Sequence, residues 1–231
     1  MKTLGILGGL GPESTLDYYS TIIRLYRERV SDDTYPEFFI NSIDLNKVRG
    51  PVTANDLPRL ANNLLPEIEK LARAGADFGL IAANTPHIAF DLIAPRAAIP
   101  LISIVEATCA AAKARQLKRV ALFGTRFTMN GEFFAKPFAR ENIEIIRPDP
   151  ADQDFIHDKY MNELLLGKFL PETKAGLLAV VDRLCAKTQL DAVILAGTEL
   201  PLILREPSHN GIPFLNTTVI HCEAAVNEMF S

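Results

Sequence analysis

The sequence predicts an α/β fold made of two similar, pseudo-symmetric domains, each a parallel sheet flanked by helices, with a cleft between them. Three observations predict it. Short apolar runs alternate with helical patterns along the whole chain. The runs are almost continuously apolar, as strands buried on both faces must be. The chain also resembles itself: ADFGLIAANT (76–85) reads like LDAVILAGTE (190–199), and GILGG (5–9) like ALFGT (121–125). Asp77 and Asp191 lie 114 positions apart, and Gly8 and Gly124 lie 116 apart, so two separate matches share nearly one offset.

The elements follow in order. TLGILG (3–8) reads as a first strand, followed by an amphipathic stretch over 12–30. EFFINSI (37–43) is a strand before a helix over 56–74, whose Leu57, Leu60, Leu64, Ile68 and Leu71 keep the three-or-four spacing of one buried face. DFGLIA (77–82) precedes a short helix, and IPLISI (99–104) an alanine-rich one. The pattern resumes with RVALFG (119–124), IEIIRP (143–148), DAVILA (191–196) and IPFLN (212–216). Between 150 and 187 it is helical, with Leu177, Leu178, Val181 and Leu184 on one face. The first domain is expected over 1–112, with 210–231 returning to it, and the second over 113–209.

Composition narrows the function classes. The 231 residues carry a net charge of -4, with acids and bases interspersed, and no basic stripe calls for nucleic acid. The apolar run at the start is too short to span a membrane, and Pro95, Arg96, Pro100 and Glu106 interrupt the one over 93–110. A cytoplasmic protein is expected, with neither nucleic acid nor membrane as partner. Cys109, Cys185 and Cys222 have no metal-site spacing and read as small core hydrophobes. His157 is expected to be exposed, and no pattern of His, Cys, Asp and Glu predicts a metal site.

The candidate chemistry lies at strand ends. GILGGLGPEST (5–15) is a strand, a glycine turn and a proline at a first helical position. Gly9 there could offer its N–H to an anion, or simply form a tight turn. The dinucleotide pattern lacks its third glycine and no Walker lysine follows, so a carboxylate-sized anion fits better than a nucleotide. In LIAANTPH (80–87), Asn84 and Thr85 are hydrogen-bonding groups, although Thr85 could cap the next helix. Thr125 and Thr128 in GTRFTM, and Thr198 and Glu199 in GTELP, stand at the matching turns, where capping is equally open. Arg49, beyond the second strand, is a candidate partner for a second carboxylate.

Taken in order, GILGGLGPEST, AANTPH, FGTRFTM, HDKYMNELLLGK, ILAGTELPLIL and FLNTTVIH resemble the landmarks of the aspartate/glutamate racemase family over nearly the whole chain. The resemblance implies two pseudo-symmetric halves, cofactor-independent chemistry and usually a homodimer. It also implies two cysteines, one before N-T at the first turn and one before T-E at the second, which exchange the Cα proton on opposite faces of an amino acid. This chain has Ala83 and Gly197 at those positions, and leucines where some members carry a lysine before the glycine of ELLLG.

The expected function is therefore Cα proton transfer on a small acidic amino acid or carboxylate, without cofactor and with bases other than cysteine. Glu199 is the candidate on one side; Thr85 or His87 would have to act on the other. The alternative is a non-catalytic protein that binds a small carboxylate or amino acid. The family's decarboxylase and maleate-isomerase relatives also depend on cysteine at these turns and fit less well. Supplying both thiols, by Ala83→Cys with Gly197→Cys, is expected to create exchange if position 197 tolerates a side chain.

Overall fold

A computed structural model describes residues 1–231. The chain divides into two compact units: Met1–Ala107 with Thr218–Ser231, and Thr108–Thr217.

The first unit holds the strands β1 (Leu4–Gly8), β2 (Phe38–Ser42), β3 (Phe78–Ile81) and β4 (Leu101–Ile102). They form one parallel sheet in the order β2-β1-β3-β4. One face is covered by the helix Pro12–Arg27 and the C-terminal helix Thr217–Met229, whose Tyr18, Ile22, Ala225 and Val226 pack with Leu4, Ile6 and Leu80. The helix Leu57–Ala74 lies over the other, where Leu71 packs against Gly5. Of its expected face, Leu60, Leu64, Ile68 and Leu71 are buried, while Leu57 in the first turn stays half-exposed.

The second unit holds β5 (Arg119–Gly124), β6 (Glu144–Ile146), β7 (Ala192–Ala196), β8 (Ser208–His209) and β9 (Ile212–Asn216), in the order β6-β5-β7-β9-β8. All neighbours are parallel except the β8–β9 hairpin. Its core gathers Phe123, Met129, Ile156, Tyr160, Leu177, Val181 and Leu195.

The internal repeat extends to the register. Leu4 pairs with Phe78 and Val120 with Ala192, so both partners move by the offsets read from the sequence. Gly79 pairs with Leu101 and Val193 with Phe214, a shift of 114 positions on one strand and 113 on the other. The matching aspartates explain part of this. The Asp77 carboxylate accepts the Thr3 N–H at 2.7 Å, and that of Asp191 accepts the Lys118 and Arg119 N–H groups at 2.6 and 2.8 Å. Each pins the start of a central strand, at the end of the sheet remote from the candidate residues.

Three expectations are corrected. The strand at 212–216 does not return to the first unit; it pairs with β7 in the second sheet, and only the helix after it returns. Asn210 and Gly211, with φ of 47° and 81°, form the tight turn that folds β8 back onto β9 and fixes it there. Cys185 is exposed, on the outer face of the helix Pro171–Lys187, whereas Cys109 and Cys222 are buried. His157 is half-buried rather than exposed.

A helix over Asn46–Thr53, absent from the sequence reading, carries Arg49. Gly50 and Pro51 hide it in the sequence. Pro51 cannot donate to the carbonyl of Lys47, and the Asn63 side chain donates to that oxygen instead, at 2.8 Å. Glu67, buried beside this helix, receives Lys47 and Lys70 at 2.5 and 2.7 Å, which hold its pKa down to about 2.

Candidate active site

In each sheet the chain reverses its direction of travel beside a central strand: between β1 and β3 in the first, and between β5 and β7 in the second. Ligands of open α/β sheets bind beyond the carboxyl ends of the strands at such switch points. The candidate residues follow those strands: Gly9 after β1, Asn84, Thr85 and His87 after β3, Thr125 and Thr128 after β5, and Thr198 and Glu199 after β7.

In the first unit much of this polarity is used internally. The Gly9 N–H donates to Thr15 Oγ1 at 2.9 Å, so it is not offered to an anion. The need for glycine there is steric: φ is +79°, and a Cβ would lie 2.4 Å from the carbonyl oxygen of Ile43. Ser14, fully buried, donates to the carbonyl of Ala82 at 3.3 Å. Asn84 is buried at the start of the short helical turn Thr85–Ala89 without capping it, and Thr85 is half-exposed. Arg49 is exposed, and no salt bridge engages its guanidinium.

The expectation that His87 serves as a base is corrected. Its Nδ1–H donates to the carbonyl of Ala83 at 2.9 Å, and Nε2 accepts the Ile104 N–H at 3.3 Å. Both nitrogens are occupied, and burial, aided by the neighbouring His221, pushes the pKa down to about 3. His221 is built alike: Nε2–H donates to the carbonyl of Ile102 at 3.0 Å and Nδ1 accepts the Tyr18 hydroxyl at 2.9 Å. Burial lowers its pKa to about 4. These neutral imidazoles brace the turn around Ala83 and fasten the C-terminal helix to β4.

In the second unit, Thr125 caps the helix Arg126–Asn130: its Oγ1 accepts the Thr128 N–H at 3.3 Å and lies 3.1 Å from Thr128 Oγ1. The capping alternative therefore holds for Thr125, and Thr128 is fully buried beside it. His157 adds an acceptor for the Arg126 N–H at 3.2 Å; burial, with the Arg126 charge, lowers its pKa.

Glu199 is different. It is 1% exposed, its Oε2 accepts the Tyr160 hydroxyl and, at 3.2 Å, the Thr198 hydroxyl, and its Oε1 is buried with no partner. Burial raises its pKa above the usual carboxylate range, more than the two hydroxyl donors lower it. Tyr160, from the helix Pro150–Asn162, is buried as well; burial, then the Glu199 charge, raises its phenol pKa, so it holds its proton and donates it.

Tyr160 also accounts for Gly197. A Cβ at 197 would lie 2.3 Å from Tyr160 Cε2, 2.9 Å from Cζ and 3.1 Å from the hydroxyl. The φ of Gly197 is outside the left-handed region, so the obstacle is the ring and not the backbone. Gly197→Ala should cost about 1–3 kcal/mol by overpacking, measured as a lower urea midpoint with unchanged m. The same change in a Tyr160→Leu background should cost markedly less; an equal loss in both backgrounds would refute the steric reading. An engineered thiol at 197 therefore requires a smaller residue at 160.

Sequence reasoning missed Tyr160 and His157, although both stand in the HDKYMNELLLGK landmark. It also gave no role to Thr218, whose Oγ1 is buried with no partner at the start of the C-terminal helix. No group of three or more His, Cys, Asp and Glu is arranged to hold a metal, and no helix is long and apolar enough to cross a membrane.

Two parallel α/β units of matching strand order and register, with polar turns at their switch points, define a duplicated α/β protein whose candidate residues lie beyond the carboxyl ends of its central strands. The profile of the Asp/Glu/hydantoin racemase family matches residues 7–225, and the chain belongs to that family. It is 24% identical to the broad specificity amino-acid racemase RacX of Bacillus subtilis (strain 168), over 97% of this chain and 96% of that one. Among solved structures it resembles a candidate Asp/Glu racemase from Yersinia pestis, with a TM-score of 0.87, 27% identity and 100% of both chains covered. It also resembles an aspartate racemase homologue from Pyrococcus horikoshii OT3, with a TM-score of 0.81, 29% identity and 99% of both chains covered.

Proposed function

We propose that the protein transfers a proton at Cα of a small acidic amino acid or carboxylate, without a cofactor and with Glu199 in place of a thiol as the ionisable group. The observation that carries this reading is the buried carboxyl at the end of β7, two residues beyond Gly197, with one oxygen held by two hydroxyls and the other awaiting a donor. Family membership supports the substrate class. In this reading Asn84, Thr85 and Thr198 are ligand-holding groups, and Arg49 receives a distal carboxylate.

The experiment is proton NMR of a panel of amino acids in deuterated water. Loss of the Cα–H signal with aspartate or glutamate is expected, and it should survive thiol alkylation. Small dicarboxylates should raise the melting temperature, because a ligand bound only to the native state stabilises it; NAD and ATP should not. Arg49→Ala should weaken the response to dicarboxylates, and an unchanged response would remove Arg49 from the site. Neither exchange nor stabilisation with any member of the panel would overturn the reading.

The second reading, a binding protein without chemistry, is favoured by one observation: Ala83 supplies no base, and His87 beside it is fully engaged. Stabilisation by carboxylates without exchange would select it. We further propose a cytoplasmic homodimer. Three cysteines, none in a disulfide, suit a reducing compartment, and Tyr19, Phe39 and Ile40 form exposed apolar surface around the edge strand β2. Sedimentation of the parent and of Phe39→Lys with Ile40→Glu tests the dimer.

A further inference from the structure

Gly197 and Tyr160 are 37 positions apart, yet they share one volume. The phenol ring occupies the space into which a side chain at 197 would project, and its hydroxyl lies 3.1 Å from where that Cβ would stand. This is the carboxyl end of β7, at the switch point of the second sheet, where a ligand is expected. The hydroxyl is hydrogen-bonded to Glu199 Oε2, and the whole arrangement is buried. A second observation points independently to a ligand. Glu199 Oε1 is buried with no partner, a costly state that a ligand's N–H or O–H would relieve.

We propose that Tyr160 takes the place of the side chain missing at Gly197, passing a proton between the ligand's Cα and Glu199 on one face only, so that the protein exchanges the Cα proton with retention of configuration. This deepens the proposed proton transfer and rests on it. In the forward step the Cα–H bond breaks and its proton forms a new O–H bond on the Tyr160 oxygen. The phenol's original proton passes to Glu199 Oε2. The C–H electron pair stays on the ligand, delocalised into its carboxylate. The carboxylate of Glu199 becomes neutral, and no oxidant or second substrate is consumed. While the carbanion persists, the protons on Tyr160 and Glu199 exchange with solvent. The reverse step then delivers a solvent-derived proton from Tyr160 to the same face of Cα, and Glu199 returns its proton to the phenol and is again a carboxylate. A phenol alone is a poor base at neutral pH; a carboxylate that takes up its proton as the new one arrives removes that difficulty. Burial of Glu199 favours its neutral form, which suits an acceptor in this relay. Inversion would need a second base on the opposite face. The relay supplies a base on one face only.

The test uses the full chain with L- and D-aspartate and glutamate in deuterated water, following Cα–H loss by NMR and configuration by chiral chromatography. The parent should exchange the Cα proton of one enantiomer without forming the other. Tyr160→Phe keeps the ring and removes the hydroxyl; it should lower exchange at least 100-fold while aspartate still raises the melting temperature. Glu199→Gln, which keeps an acceptor for Tyr160, should also lower exchange, and the acid limb of its pH–rate profile should disappear, a change that a purely structural role would not produce. If Tyr160→Phe fails to fold, Glu199→Gln and the stereochemistry of the parent still decide. Unchanged exchange in Tyr160→Phe would overturn the relay and leave the proposed Cα chemistry standing. Racemisation by the parent would overturn the single-face restriction. Absence of exchange by the parent, with binding retained, would overturn both the relay and the catalytic reading.

Discussion

Acidification from pH 7.5 to pH 4.5 should remove several kcal/mol of stability, through His87 and His221. Both are buried and neutral, with pKa values pushed from 6.5 to about 3 and about 4. Each folded-state value is depressed below the unfolded one, so below pH 6.5 the unfolded chain binds protons that the native one refuses. Stability is then fully present above about pH 6.5 and falls as the pH drops towards the folded values. Two such groups give a limiting slope of about 3 kcal/mol per pH unit, and on the order of 5 kcal/mol is lost by pH 4.5. That is a large part of an ordinary domain's stability. Glu67, depressed to about 2, adds loss in the same sense below pH 4.5. Glu199, whose pKa is raised, acts oppositely: the native state keeps its proton longer, so acidification relieves its burial cost. Urea midpoints across this range measure the balance. Replacing either histidine by glutamine should cut the slope by about half. A flat profile between pH 6.5 and 5 would show that these imidazoles do not stay neutral in the native state.

Gly9→Ala should cost about 3–5 kcal/mol, from left-handed backbone strain plus a clash that cannot relax. The added Cβ would lie 2.4 Å from Ile43 O and 2.6 Å from Ile43 N, both backbone atoms of the chain just after β2. Gly211→Ala is the control: its φ is +81°, but no atom lies near its missing Cβ, so only the strain of about 1 kcal/mol is expected. Equal losses at the two positions would show that the contact with Ile43 is not the cause. Since the Gly9 N–H is already donated to Thr15, any loss of ligand binding in Gly9→Ala should follow the loss of folded protein.

Much of the fold was legible in the sequence. Strands alternate with helices because apolar runs alternate with amphipathic ones, and all eight strands read from those runs exist, some shortened by one to four residues. The missed elements have physical causes. The helix Asn46–Thr53 contains Gly50-Pro51 and persists because Asn63, from another helix, takes the carbonyl that Pro51 leaves open. The two-residue strand β8 is too short for any period, although its Asn-Gly turn was a readable signal.

The sequence by itself determined that this is a duplicated α/β chain of the racemase family, that the polar turns follow the central strands, and that the positions expected to hold thiols are Ala83 and Gly197. Those are properties of local pattern and offset, which the linear order of residues carries. Only the tertiary structure decided how these polar groups are used. His87 and Thr125 satisfy backbone groups beside them, and the Gly9 N–H is taken up by the Thr15 hydroxyl, because a buried donor or acceptor must be paired within its own surroundings. Glu199 keeps one oxygen unpaired, and Tyr160, 37 positions before Gly197, fills the space that glycine leaves. No sequence spacing encodes that meeting. It depends on the helix Pro150–Asn162 lying where its tyrosine reaches the end of β7, and that is set by packing over the whole core of the second unit.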